Sequence, residues 1–69
     1  MNLHIDMDRE EDGRWIAEVA TIPGALAYGA TEAEARANVT AIALRVIADD
    51  IENAKQAPDD MQVCFDARA

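Results

Sequence analysis

Residues 26–34 read LAYGATEAE, and within them the pattern changes from that of a strand to that of a helix. Leu26 and Tyr28 alternate with small residues, as expected for a short strand. Thr31 precedes Glu34 by three positions, which is the spacing of a capping box. In that motif the Thr31 hydroxyl accepts a hydrogen bond from the backbone amide of Glu34, and the Glu34 carboxylate reaches back to the amide of Thr31. The segment therefore predicts a strand followed directly by a helix.

The predicted helix continues through good helix formers to about Ala54. An apolar stripe at three- and four-residue spacing predicts the face that packs on a sheet; it consists of Ala35, Val39, Ile42, Ala43 and Val46. Leu44, Ile47 and Ile51 fall outside this stripe. Because one small sheet cannot cover so much apolar surface, either the chain termini cover part of it or it belongs to an oligomer interface. We predict that these three residues and Ile16 form the interface of a homodimer or higher homo-oligomer.

Two strands are predicted before the turn at Ile22-Pro23-Gly24, and they are joined as a hairpin. The first alternates apolar with polar residues at Met1, Leu3, Ile5 and Met7, and the second does so at Trp15, Ala17 and Val19. Asp12-Gly13 between them offers the positive φ that a hairpin turn needs. Ile16 places a branched apolar group on the otherwise polar face, so we expect something to cover that face.

A last strand is predicted after the helix. Pro58 ends the helical pattern, and Met61, Val63 and Phe65 then alternate with Gln62, Cys64 and Asp66. The order strand, strand, strand, helix, strand predicts an α+β fold (β-β-β-α-β), with the last strand parallel beside the first. One helix would then cover one face of the sheet and leave the other face open. The 69 residues are expected to form a single domain, residues 1–69.

The charge of the chain is strongly negative. The chain has fourteen Asp and Glu residues and six Lys and Arg residues, which gives a net charge of −8. A nucleic-acid binder needs a basic patch, so this balance argues against direct binding to RNA or DNA. The excess of carboxylates would attract a basic protein, or it serves solubility alone. With one cysteine, no targeting pattern and no apolar run long enough to span a bilayer, the chain is expected to be cytoplasmic and free of the membrane.

The residues that usually carry chemistry are isolated. His4 has no second ligand at metal-like spacing, and Cys64 has no basic neighbour in sequence to activate its thiol. Asp6, Asp8 and Glu18 could hold Mg²⁺ in a nuclease, but no basic groove accompanies them. Gly13, Gly24 and Gly29 are too far apart for a phosphate loop and are interpreted as turn residues. We therefore predict no enzyme activity, no catalytic residue, no metal and no cofactor.

The acidic residues near the hairpin are the candidates for binding a partner. Three of them, Glu10, Glu11 and Asp12, lie in the turn, where they either are simply solvated or attract lysines and arginines of another protein. The predicted partner-binding set is Asp6, Asp8, Glu10, Glu11, Asp12 and Glu18. Their expected role is electrostatic steering of a basic partner.

The order of these motifs resembles the HicB-type antitoxin domain. The segments that carry the resemblance are residues 12–19 (DGRWIAEV), 22–24 (IPG) and 28–38 (YGATEAEARAN). The resemblance covers nearly the whole chain and implies a partial, degenerate RNase H-like sheet without the nuclease active site. It also implies a role in a toxin–antitoxin system, in which the antitoxin binds HicA, a small basic toxin that cleaves mRNA, and covers its active surface.

The chain departs from many family members at its end. Those members carry a helix-turn-helix or ribbon-helix-helix segment that binds their own promoter, whereas only residues 66–69 follow Phe65 here. No C-terminal DNA-binding segment is therefore expected. The alternative to an antitoxin is an orphan, self-associating domain of the same fold that acts as a regulatory or ligand-binding module without a toxin partner.

Overall fold

Three antiparallel strands and one long helix make up most of the structure, a computed structural model that describes residues 2–55 and 64–66. In chain order, the elements are β1 (Asn2–His4), β2 (Asp6–Arg9), β3 (Trp15–Glu18), β4 (Leu26–Gly29), α1 (Glu32–Ala54) and β5 (Cys64–Asp66). The predicted α+β class is confirmed. The predicted helix stop at Pro58 and the predicted strand positions Met61, Gln62 and Val63 lie outside the described residues.

The strands pair in two groups. The first is a three-stranded antiparallel sheet of order β2-β3-β4, and in the second β1 pairs with β5 in parallel. The parallel placement of the last strand beside the first was predicted correctly. The prediction of one continuous first strand in a single four-stranded sheet was wrong. The predicted strand is divided at Ile5, because β1 before it pairs with β5 and β2 after it pairs with β3. Ile5 itself stays buried in the core.

Two predicted turns form as the sequence indicates. In the hairpin between β2 and β3, the amide of Glu10 donates to the carbonyl of Arg14 at 2.7 Å, and Gly13 has a φ of 93°. Such a left-handed residue closing a three-residue loop produces a bulge that suits the twist of the strands. Gly24 has a φ of 83° in the turn of residues 22–25. Both glycines therefore have the turn role assigned to them.

The ends of α1 are capped. Thr31 is the N-cap, and its Oγ1 accepts from the amide of Glu34 at 3.1 Å, as predicted. The Glu34 Oε1 accepts from the amide of Ala30 at 3.3 Å and not from Thr31, because the chain entering the helix brings the earlier amide within reach. At the other end, Lys55 is left-handed (φ 54°), and its amide donates to the carbonyl of Ile51. The predicted bounds of the helix are thus confirmed.

Small residues set the distance between α1 and the sheet. The buried core consists of Leu3, Ile5, Ala17, Val19, Ala25, Ala27, Ala35, Val39 and Ala43. Gly29 at the end of β4 lies so close to α1 that a Cβ built on it would be 2.4 Å from the backbone nitrogen of Ala35. The interpretation of Gly29 as a turn residue was wrong, since its role is to allow this close approach. Asn38 reinforces the contact because its Nδ2 donates to the carbonyl of Tyr28 at 2.9 Å.

The apolar residues outside the predicted stripe do not behave alike. Ile47 is half-buried and packs against the core, so its placement outside the stripe was wrong. The stripe drifts around the helix axis, since positions four residues apart advance by more than one full turn. Leu44 is 45% exposed, and Ile51 is half-buried. Only Leu44 is a large apolar residue of α1 that stays clearly open to solvent in the described part of the chain.

The close approach at Gly29 leads to a first prediction. Gly29→Ala should lower the free energy of unfolding by about 1 to 3 kcal/mol, because the new methyl group must push α1 away from β4. Urea denaturation followed by circular dichroism measures the change. Gly24→Ala serves as a comparison, since a Cβ there meets open space and only the positive φ opposes it. A rise in stability for Gly29→Ala would show that the helix does not pack this closely.

Candidate protein-docking face

The three-stranded sheet has one face that α1 does not cover. Side chains alternate between the faces of a strand, so the residues on either side of the buried positions Ala17 and Ala27 point away from the helix. They are Asp6 and Asp8 on β2, Ile16 and Glu18 on β3, and Leu26 and Tyr28 on β4. We call these six residues the open face.

The open face is divided into an acidic side and an apolar side. One row across the sheet runs Asp6, Glu18, Leu26, and the next runs Asp8, Ile16, Tyr28. Asp6 and Asp8 therefore lie on β2, and Leu26 and Tyr28 lie on β4. The strand between them, β3, carries one carboxylate, Glu18, and one aliphatic group, Ile16. Leu26 and Tyr28 are each 42% exposed, and Ile16, on the central strand, is half-buried. Adjacent exposed apolar groups of this kind are typical of surfaces that contact other proteins.

The acidic side contains an unfavourable pair. Asp6 and Glu18 are direct cross-strand partners, and like charges placed opposite each other destabilise a sheet. The Nε2 of His4 lies 3.0 Å from Asp6 Oδ1, but both side chains are largely exposed. Asp8 Oδ1 accepts from the amide of Arg9 at 2.8 Å, which orients one carboxylate oxygen without neutralising it. A cation from outside would relieve this repulsion.

The hairpin turn holds a cation at the other end of the open face. Arg14 Nε donates to Asp12 Oδ2 at 2.8 Å, and the amide of Arg14 donates to Asp12 Oδ1 at 3.0 Å. The same guanidinium lies over the ring of Tyr28, 4.7 Å from its centre. These contacts, first the backbone hydrogen bond from Arg14, lower the pKa of the Asp12 carboxyl. Both oxygens of the Asp12 carboxylate therefore already accept hydrogen bonds from Arg14 of the same chain.

The structure separates the predicted binding residues into two groups. Asp6, Asp8 and Glu18 lie together on the open face. The other three, Glu10, Glu11 and Asp12, belong to the hairpin turn, where Glu10 is half-buried. The four predicted interface residues do not form one surface: Ile16 is on the open face, while Leu44, Ile47 and Ile51 are on the helix that packs on the opposite face. The homo-oligomer interface built from those four residues stays a prediction, and it would have to use both faces of the protein.

Three members of this region were missed by the sequence analysis. Leu26 and Tyr28 were assigned to a strand but not to a surface, and Arg14 was assigned no role. Their signal was the register: once Ile16 is placed opposite Tyr28, the two apolar groups share a face. Register depends on which residues pair across the turn, and period-two alternation alone does not reveal it.

Residues 2–55 and 64–66 were also compared with the requirements of a metal site and of an anion site. No group of three or more His, Cys, Asp or Glu side chains in that part could hold a metal ion. The Nε and Nη2 of Arg36 are enclosed and have no hydrogen-bond partner there. Since those atoms are shielded from solvent, they cannot receive an external anion as they stand. The side chain of Cys64 lies outside what the structure describes.

No helix in the described ranges is long and apolar enough to cross a bilayer.

Comparisons with family models, with curated proteins and with solved structures find no significant match to the chain. The resemblance to HicB-type antitoxins therefore stays a prediction from the motif order in residues 12–38.

The contact between Asp12 and Arg14 predicts a titration. The pKa of Asp12 should lie below that of an ordinary Asp, and Arg14→Gln should raise it only partly, because the backbone hydrogen bond remains. Since folding lowers this pKa, the contact stabilises the fold above the ordinary Asp range and is lost as the pH falls through the lowered value. NMR titration of the side-chain carboxyl measures both. An ordinary pKa in the parent protein would contradict the contact.

The opposed carboxylates predict a gain in stability on neutralisation. Glu18→Gln should raise the free energy of unfolding by about 0.2 to 1 kcal/mol at low salt, because it removes the repulsion with Asp6. Salt should reduce the difference, since exposed charges are screened. Thermal unfolding at two salt concentrations measures this. Glu11→Gln, at an exposed position in the hairpin turn without a cross-strand partner, removes the same charge and is the control. A less stable Glu18→Gln protein would show that the pair is not repulsive.

Proposed function

We propose that the chain is an antitoxin-like protein that binds a small basic HicA-type ribonuclease through the open face and keeps RNA out of it. The proposal includes the partial RNase H-like fold that the resemblance implies and the cytoplasmic location that the sequence predicts. Binding requires no chemistry of the chain's own. Its expected effect is occlusion, in which an acidic surface occupies the cationic surface that RNA would otherwise contact.

The observation that carries the proposal is the pair of opposed carboxylates beside exposed apolar groups. Asp6 and Glu18 repel each other in the free chain, and Asp8 lies next to them. Lysine or arginine side chains of a partner would turn this repulsion into attraction. Leu26 and Tyr28, 42% exposed on the same face, offer apolar area that association would bury. The net charge of −8 supports fast encounter with a basic protein.

The second candidate is an orphan self-associating module. Leu44, 45% exposed on α1, favours it, because an apolar group there gains from contact with another copy. In that case the open face has no toxin partner, and a homo-oligomer forms through the helix instead.

Co-expression with any small basic protein that is encoded next to the chain tests the proposal. We expect a complex in which the ribonuclease is inactive and whose association rate falls steeply with salt. Asp8→Lys with Glu18→Lys should reduce the association rate by about tenfold or more at low salt. Asp49→Lys with Asp50→Lys changes the net charge equally but alters exposed positions on α1, and should have a much smaller effect.

Two results would contradict the proposal. One is the absence of any complex with a neighbouring basic protein at low salt, with homo-oligomers that Leu44→Gln disrupts; this favours the orphan module. The other is an equal loss of association rate for both charge-reversed pairs, which would mean that only the net charge matters and that docking does not use the open face.

A further inference from the structure

The open face has a shape and a charge pattern that restrict what can lie on it. We propose that it takes an amphipathic α-helix of the partner, with an apolar ridge on the β4 side and lysine or arginine at positions i and i+4 on the β2 side. This inference rests on the proposed function and deepens it by naming the element of the partner that docks.

The dimensions of the face fit one helix. The outer strands of a three-stranded sheet are about 10 Å apart, and strands of four residues are about 13 Å long. An α-helix with its side chains is about 10 to 12 Å wide. Asp6 and Asp8 are two residues apart on β2, which places them about 6.8 Å apart along the strand. Residues i and i+4 of a helix are separated by a rise of about 6 Å, so two cations at that spacing reach both carboxylates.

The apolar side gives the docked helix its second contact. Ile16, Leu26 and Tyr28 form a continuous strip, since Ile16 is opposite Tyr28 and Leu26 lies on the same strand as Tyr28. Arg14 covers one end of the strip through its contact with the Tyr28 ring, and Asp12 holds the guanidinium in place. Arg14 thus bounds the strip at the hairpin end. The apolar ridge of a docked helix would lie along the direction of the strands.

A second copy of the chain is a poor occupant of this face. Face-to-face docking of two copies would bring together three carboxylates from each, and Arg14, which lies over Tyr28 at the end of the face, is already engaged by Asp12. The charge of the face therefore favours a cationic helical segment over a second copy of the chain.

Three stapled helical peptides of equal length test the inference on the complete chain. The first has a leucine stripe with lysines at i and i+4 on one flank, the second has glutamates in place of the lysines, and the third has glutamines in place of the leucines. We expect the first to shift the backbone amide signals of β3 and β4 in NMR spectra. The second and third should bind at least tenfold more weakly.

Matched variants locate the binding on the protein. Leu26→Gln with Tyr28→Gln should weaken binding of the first peptide at least tenfold, whereas Leu44→Gln should change it less than twofold, although Leu44 is as exposed as the other two. The dispersion of the NMR spectrum shows whether each variant folds, and Leu26→Gln alone, expected to weaken binding by a smaller factor, serves if the double variant does not.

The outcomes separate this inference from the proposed function. Equal binding of the lysine and glutamate peptides, shifts confined to α1, or equal loss on Leu44→Gln overturns the docked helix. A ribonuclease complex that depends on Asp8 and Glu18, together with no binding of the first peptide, overturns the inference while the antitoxin function stands. Binding of the first peptide without any ribonuclease complex overturns the antitoxin function, while the docked helix stands.

Discussion

The close approach of α1 to β4 is the constraint on which the rest of this structure depends. Gly29 has no side chain, so the backbone of Ala35 comes within a distance that any other residue would block. Alanines at the facing core positions continue this short spacing along the helix. The Asn38 hydrogen bond to the Tyr28 carbonyl and the Thr31 cap then fix where the helix starts relative to the strand. The helix can occupy only one face of so small a sheet.

The consequence of that one-sided packing is an open face with mixed chemistry. Its carboxylates are arranged by the register of β2 and β3, which sets Asp6 against Glu18. A surface that served solubility alone would gain from interspersed charges of both signs. Here two of the three acids lie on the edge strand β2, the exposed Leu26 and Tyr28 lie on the edge strand β4, and the nearby cation, Arg14, is held by Asp12. In the proposed function, the residues that repel one another in the free chain are also the ones that attract a cationic partner.

Apolar residues that look alike in the sequence lie in different places in the structure, some on α1 and one on the open face of the sheet. Ile16 was grouped with Leu44, Ile47 and Ile51 because all four fell outside the expected core pattern. In the structure, Ile47 packs against the core and Ile16 belongs to the opposite face of the sheet. Burial depends on which elements lie over a residue, and spacing along one helix does not contain that information.

Local features were determined by the sequence itself. The Thr31 cap, the turns at Gly13 and Gly24, and the extent of the helix all follow from backbone preferences of a few neighbouring residues, which act within one turn of chain. The α+β class and the parallel last strand followed from the order of elements and the handedness of crossovers. Only the tertiary structure decided the break at Ile5, the role of Gly29, and the meeting of Ile16, Leu26 and Tyr28 beside the acids. These depend on contacts between residues distant in sequence, and register and packing distance set such contacts.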